Sequence, residues 1–228
     1  MILKFGFTWQ REFTLDETAR ARARMVEQQI AARGVGSKMV LDAMRRVPRE
    51  LFVPEHLRDL AYADGPLSIG EGQTISQPYI VALMAEALCL YGGEKVLEIG
   101  TGSGYAAAVL AGIADQVYSI ERIALLAQNA EAILAQIGYN NVHVIQGDGT
   151  LGWPQQAPYD AIVVTAGGPE VPESLKNQLK TGGRLVIPVG ADMYNQELLR
   201  VTRVSESKYR TENLEYVRFV PLIGEEGW

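Results

Sequence analysis

The sequence predicts an α/β fold built on a mostly parallel, doubly wound sheet, and three observations carry that prediction. From residue 77 onward, short runs rich in Val and Ile alternate with segments of helical period. Strands that are apolar along their whole length and separated by helices belong to parallel sheets covered on both faces. The first of them, "KVLEI" (95–99), runs straight into a glycine-rich turn, "GTGSG" (100–104), the strand-to-helix junction common in this class. At 228 residues the chain suits one domain.

Each element can be justified in order. Residues 1–13 match no period and are expected to form an irregular arm. "TLDE" (14–17) has a hydroxyl at the N-cap and a carboxylate three residues on, a capping box that opens a helix running to Gly34. A second helix starts at Ser37, places Val40, Leu41, Met44 and Val47 on one face and stops before Pro48. Residues 48–76 are rich in Pro, Gly and Asp and lack periodicity. A loop of that length inside a compact domain is usually functional or disordered. Ser76, just before Gln77-Pro78, is expected to cap a helix over about 77–91. After "KVLEI" come the helix "YAAAVLAGI", the strand "QVYSI", the helix "IALLAQNAEAILAQIG", and the strands "VHVIQ" and "YDAIVVT". A helix near "ESLKNQL" and the strand "RLVIPV" follow, and "QELLRVTRV" and "LEYVRFVPL" should be two further strands, including an antiparallel one. One domain over 1–228 thus divides into N-terminal helices and loop (14–76), a ligand-binding core (77–190) and C-terminal strands with a tail (191–228).

Composition narrows the function. A net charge of −6 argues against a nucleic-acid partner, which needs a basic footprint. One cysteine, Cys89, forbids an internal disulfide, and two histidines, His56 and His143, give no metal-site pattern; no metal is expected. His56 fits a surface position; Cys89, Met84 and His143 fit packing roles. No apolar run reaches the roughly 18 residues of a membrane span, and the N-terminus has too short an apolar stretch for a signal peptide. A cytoplasmic protein without a membrane partner is expected.

The chemistry gathers around the turn. Gly100, Gly102 and Gly104 let the backbone approach a ligand, with Glu98 two residues upstream. Glu121 ends the next strand, 121 − 100 = 21 residues past Gly100, where an acid that binds ribose hydroxyls belongs. Asp148, in "QGDG", follows the third strand and could accept from an adenine amino group. These residues describe an adenosine pocket at the carboxyl ends of parallel strands. The GxGxG spacing, with a carboxylate beside it, suits a cationic ligand better than the pyrophosphate of a GxGxxG turn. S-adenosylmethionine carries both an ammonium and a sulfonium, so a methyltransferase is favoured over a dehydrogenase. A small-molecule methyltransferase and a binding module without turnover remain alternatives at this point.

"VPRELFVPEHL", "YADGPLSIGEGQTISQPY", "VLEIGTGSGY", "GDG", "YDAIVVTA" and "VRFVPL" closely resemble the protein-L-isoaspartate O-methyltransferases, in order and spacing, over about residues 20–223. The family pattern often has Ala where Gly167 stands, a mild departure, and the "GEEGW" end has no clear counterpart. The resemblance implies a Rossmann-like class I S-adenosylmethionine-dependent methyltransferase fold. It implies methyl transfer to the free α-carboxylate of L-isoaspartyl residues in damaged proteins, with repair through a succinimide and S-adenosylhomocysteine as product. It further implies that Ser76 orients the carboxylate and that Asp64 supports it. Gln73, Thr74, Ile75 and Ser76 should wall the cofactor together with Glu98, Gly100, Thr101, Gly102, Gly104, Glu121, Arg122, Asp148, Gly149 and Thr165. Arg218 and Val220 should grip the substrate main chain. On this reading, removal of residues 214–228 should impair peptide binding and largely spare the cofactor.

Overall fold

In a computed structural model, residues 15–192 and 195–228 are described. The expected arm at 1–13 and the capping hydroxyl of Thr14 lie outside them. Helix α1 (Leu15–Met25) loosens into a π-helical turn over Val26–Ile30 and a 3₁₀ turn over Ala31–Arg33, and Gly34 ends it in the left-handed region. Helix α2 (Lys38–Arg46) starts as expected: Ser37 Oγ accepts from the Val40 N–H at 3.4 Å.

The expected loop over 48–76 is more ordered than its composition suggests. It holds two 3₁₀ turns (Arg49–Phe52, Glu55–Leu60) and a small antiparallel hairpin of β1 (Leu67–Gly70) and β2 (Gln73–Ile75). Positive φ at Gly70, Glu71 and Gly72 makes the tight reversal possible. Strands of four and three residues are too short for an alternation to stand out in the sequence, although β1 alternates in burial.

Helix α3 spans Pro78–Ala87, with proline at its first position and Gln77 as N-cap. The expectation that Ser76 caps it is therefore corrected: the cap lies one residue later, and no side chain closes it by a hydrogen bond. Proline itself removes one of the N–H groups that a cap would serve. The helix also stops short of residue 91, since Cys89 adopts φ 52°.

The remaining elements are β3 (Lys95–Ile99), α4 (Tyr105–Ala111), β4 (Gln116–Glu121), α5 (Ala124–Gln136), β5 (Val142–Gln146), β6 (Tyr159–Val164), α6 (Glu173–Asn177), β7 (Leu179–Val189), β8 (Gln196–Arg203) and β9 (Tyr209–Val217). Most of them follow the sequence reading closely; the exceptions are β7, which begins five residues before "RLVIPV", and β9, which lies five residues before "LEYVRFVPL". Their sheet has the order β5-β4-β3-β6-β7-β8-β9. Its first five strands are parallel, and β8 and β9 are antiparallel. The chain winds outward from β3 to β5 and then returns to β6 on the other side of β3. That reversal opens a crevice beyond the carboxyl ends of β3 and β6, the general ligand site of such sheets.

Along β3 the side chains alternate. Val96 joins the core cluster under α1–α4, while Leu97 and Ile99 join the cluster on the face of α6. Both faces are thus buried, as continuous apolar strands require. The segment "VRFVPL" departs from expectation. Strand β9 ends at Val217, and Pro221 instead makes an isolated parallel bridge to Gly167 beyond β6. Proline cannot donate to a sheet ladder, so this segment leaves the sheet for the crevice.

The two serines give a contrast that can be measured. Ser37→Ala is expected to lower stability by about 1 kcal/mol, whereas Ser76→Ala should change it by less than about 0.5 kcal/mol, the usual range for a substitution that removes no structural contact. Denaturant melts of the two variants against the parent chain check this.

Candidate active site

The crevice is set by a close approach. Gly100, at φ 94°, sits so near Thr165 that a Cβ would lie 2.5 Å from Oγ1. The Thr165 hydroxyl donates to the carbonyls of Gly100 (2.7 Å) and Ile99 (3.0 Å), tying the ends of β3 and β6. Glu121, almost fully buried, accepts from the Gly102 N–H (2.8 Å) on one oxygen and from the Ile123 N–H (3.0 Å) on the other. Its carboxylate is thereby held at the rim of the turn.

Beneath the turn lies a polar chain. Ser119 Oγ donates to Glu98 Oε2 at 2.5 Å, and the Thr101 hydroxyl meets Ser119 at 2.6 Å. Glu98 is completely buried, its Oε1 has no hydrogen-bond partner among the described residues, and it lines none of the three hollows described below. Burial, with a smaller push from the charge of Glu121, raises its pKa to about 8 despite the bond from Ser119. The structure thus gives Glu98 no direct face toward a ligand; it braces Thr101 through Ser119. Gly104 also stands back, because a Cβ there would meet Ala130 at 3.2 Å and Leu134 at 3.3 Å. Its role is to let α4 start against α5.

Three hollows meet at Thr74 and Thr165, which line all of them. One lies over the glycine turn, lined by Ile75, Ser76, Gly100, Thr101 and Gly102. A second lies toward β4, lined by Gln73, Glu121, Arg122 and Gly149 and by Val220 to Ile223. The third is an open groove lined by Ser76, Gln77, Asn195, Arg218 and Val220. Ser76 is common to the first hollow and the groove, and no hydrogen-bond partner for its hydroxyl is found among the described residues.

Two expected residues sit elsewhere. Asp64 lines none of these hollows; its oxygens accept from Gln77 Nε2 (2.7 Å) and Arg33 (3.3 Å). It holds Gln77, the residue after Ser76. Asp148 accepts from the Thr150 N–H (2.9 Å) and hydroxyl (2.7 Å) on one oxygen and from the Glu225 N–H (2.8 Å) on the other. Burial opposes its charge, but the Glu225 and Thr150 donors outweigh it and hold the pKa below the ordinary value.

The sequence reading missed Arg49. It is fully buried, donates from Nε to the Ala61 carbonyl and from Nη2 to the Ser76 carbonyl (both 2.8 Å), and lies 4.7 Å from the centre of the Tyr105 ring. Burial pulls its pKa down, and no carboxylate lies within salt-bridge distance among the described residues. Its only signal was membership of "VPRELFVPEHL". Gln196, also buried, was missed too: it brackets Phe219 by accepting from its N–H (2.7 Å) and donating to its carbonyl (3.3 Å).

The model of the Protein-L-isoaspartate(D-aspartate) O-methyltransferase family matches residues 20–227. The chain belongs to this family. It is 67% identical over 210 residues to Protein-L-isoaspartate O-methyltransferase 1 of Rhodopseudomonas palustris (strain HaA2), covering 92% of this chain and 86% of the relative. Against the protein-L-isoaspartate O-methyltransferase of Syntrophus aciditrophicus (strain SB) it is 60% identical over 94% of this chain and 99% of the other. A solved protein-L-isoaspartate O-methyltransferase superposes with a TM-score of 0.81 at 32% identity, covering 90% of this chain and 67% of that one. A Plasmodium falciparum structure of this kind, in complex with S-adenosyl-L-homocysteine, gives 0.75 at 25% identity over 89% and 98% of the two chains. Fold and family agree with the sequence expectation. Among the described residues, no helix is long and apolar enough to cross a membrane, and no group of three or more His, Cys, Asp or Glu side chains could hold a metal ion.

Glu98 supplies a stability test. Its folded pKa of about 8 lies above the ordinary 4.5, so the folded state binds more protons than the unfolded one between those values. Stability contributed by this group is full below about pH 4.5, falls as pH rises through the window and levels above it. Glu98→Gln should remove that part of the slope, so the difference between melting temperatures at pH 5 and pH 8.5 should shrink. Thermal melts across that range check it.

Proposed function

We propose that the first two hollows hold S-adenosylmethionine, that the groove holds the main chain of an isoaspartyl protein, and that Ser76 orients the accepting carboxylate where they meet. The reaction is that of the family: methyl transfer to the free α-carboxylate of an L-isoaspartyl residue, with S-adenosylhomocysteine as product. The observation that carries the residue assignment is the position of Ser76, common to the ligand hollow and the groove.

The residues fit such a ligand. Glu121 presents an acceptor pinned by two backbone N–H groups, in a hollow that the largely apolar segment from Val220 to Ile223 also lines. The backbone at Gly100 and Gly102 carries no side chain that would fill the first hollow. When bound, S-adenosylmethionine supplies a methyl on a positively charged sulfur. A carboxylate with pKa near 4 is already ionised at neutral pH, so no side chain has to remove a proton. What the chain must do is align the attacking oxygen and limit water around it. Ser76 can donate one hydrogen bond to the carboxylate without adding a charge, and the Arg49 bond to its carbonyl fixes where it stands. Asp64 acts at one remove, through Gln77.

Arg218 and Val220, with Asn195 and Gln196, line the groove and are assigned to the substrate main chain. Damaged sites occur in many sequences, so recognition through the main chain is economical. The additional backbone methylene of isoaspartate displaces its carboxylate relative to that chain, which gives the site its discrimination. The net charge of −6 supports a protein rather than a nucleic-acid substrate, and a cytoplasmic setting completes the reading.

Paired peptides that differ only in Asp and isoAsp test the substrate. Labelled methyl should pass to the isoaspartyl member alone, and equal rates on both would make this a general carboxyl methyltransferase. In single-turnover transfer at saturating cofactor, Ser76→Ala should be slower by about 10²-fold or more, the scale of a lost preorganised donor. Glu121→Ala should weaken S-adenosylhomocysteine binding by about 1–3 kcal/mol in calorimetry, the scale for a hydrogen bond to a charged group.

A further inference from the structure

The first hollow and the groove have three residues in common, Thr74, Ser76 and Thr165, and each of them carries a hydroxyl. A hydroxyl has one proton to donate. Thr165 spends its proton on the carbonyls of Gly100 (2.7 Å) and Ile99 (3.0 Å) and has none left for a ligand. The hydroxyls of Thr74 and Ser76 have no hydrogen-bond partner among the described residues. Two uncommitted donors therefore meet where the first hollow opens into the groove.

Their placement follows from the hairpin. Thr74 is the middle residue of β2 and pairs with Ser68 of β1. Ile75, the next residue, is 4% exposed and belongs to the core. Successive side chains of an extended chain take opposite faces, so Thr74 and Ser76 share the side away from Ile75. Ser76 follows β2 directly, and Arg49 Nη2 fixes its carbonyl at 2.8 Å. Two residues of strand set the Cα atoms of Thr74 and Ser76 about 7 Å apart. One carboxylate, with a hydroxyl bond of about 2.7 Å on either oxygen, spans such a gap.

A carboxylate held at one oxygen still turns about that hydrogen bond. Held at both, its plane is fixed and the reacting lone pair stays in line with the methyl. In the transfer, one carboxylate oxygen forms the new bond to the methyl carbon. The carbon–sulfur bond breaks, its electron pair stays on sulfur as a neutral thioether, and no proton moves. The reacting oxygen becomes the alkoxy oxygen of the ester, a poor acceptor, and the other becomes its carbonyl oxygen, a good one. A donor on that second oxygen keeps its bond throughout, so it orients the group without opposing the step.

We propose that the Thr74 hydroxyl is a second catalytic donor, which binds one oxygen of the accepting carboxylate while Ser76 binds the other. This rests on the assignment of the groove to the isoaspartyl chain and of Ser76 to its carboxylate. It gives Thr74 a task in the chemistry beyond that of a wall for the cofactor.

Thr74→Val and Thr74→Ser test it, with Ser76→Ala as the reference. Valine copies the shape of threonine without the hydroxyl and suits a strand, and serine keeps the hydroxyl without the methyl. Each variant is assayed for single-turnover methyl transfer to an isoaspartyl peptide at saturating cofactor and peptide, for S-adenosylhomocysteine affinity by calorimetry, and by thermal melt. Thr74→Val should transfer the methyl about 10-fold or more slowly, the lower range for a lost preorganised donor, while Thr74→Ser stays within about threefold of the parent. Both should bind S-adenosylhomocysteine as the parent does and melt with it. If Thr74 only walled the cofactor, Thr74→Val would transfer at the parent rate once cofactor saturates, and the second donor would be overturned. A Thr74→Ser variant as slow as Thr74→Val would overturn it as well, since the methyl and not the hydroxyl would then matter. A parent chain that leaves the isoaspartyl peptide unmethylated refutes the proposed function itself, whereas slow transfer by Ser76→Ala beside parent-like transfer by Thr74→Val refutes only the second donor.

Discussion

Much of this molecule depends on one contact, the Thr165 hydroxyl set against the backbone of Gly100. Parallel strands β3 and β6 lie side by side, yet the chain leaves them in opposite winding directions, and a crevice opens between their outgoing loops. Thr165 fixes its floor by bonding two carbonyls of the neighbouring loop. Any side chain at 100 would have to occupy the place of that hydroxyl. All three hollows include Thr165 in their walls. The spacing between the hollows and the groove is therefore a property of the sheet, and the loops only dress it.

The loop that carries Ser76 is anchored differently, by a buried cation. A guanidinium removed from water without a carboxylate is expensive unless its donors are satisfied and its charge meets polarisable groups. Arg49 meets part of that demand with two carbonyls and the face of Tyr105, although Nη1 has no hydrogen-bond partner among the described residues. Such an arrangement favours one loop geometry, because the carbonyls of Ala61 and Ser76 must both converge on it. The segment from 49 to 76 can then be ordered with two short 3₁₀ turns and a seven-residue pair of strands, where hydrophobic burial alone would give little.

What the sequence revealed follows from how local each signal was. Strands such as "KVLEI" and "VHVIQ" are announced by short runs rich in Val, Ile and Leu between turn residues, so β3 to β6 and their helices were legible nearly to the residue. The glycine turn and Glu121 were legible because their separation is imposed by one βαβ unit. Nothing local announces Arg49, whose partners stand 12 and 27 residues away, and an arginine after proline reads as a surface residue. Asp148 was placed at the right strand end, but its occupation by Glu225, 77 residues on, is a tertiary fact. Ser76 looked like a cap because hydroxyls before proline so often are. The actual cap position at Gln77 is set by how the chain emerges from β2.

The distribution of charge in the site agrees with the chemistry it hosts. A carboxylate attacking a sulfonium methyl loses charge on the way to the transition state, as does its partner. A cation placed against the carboxylate would stabilise the separated reactants more than the transition state and so slow the step. Arg49 is close, but its Nη2 is directed at the carbonyl of Ser76, so what the loop offers at the junction is a neutral hydroxyl. On the cofactor side, Glu98 lies below the turn with its pKa raised to about 8 and is mostly protonated at neutral pH. Glu121 lines the second hollow, away from the junction, where its charge can hold a ligand without opposing the incoming carboxylate. At Ser76 itself the chain thus acts through position.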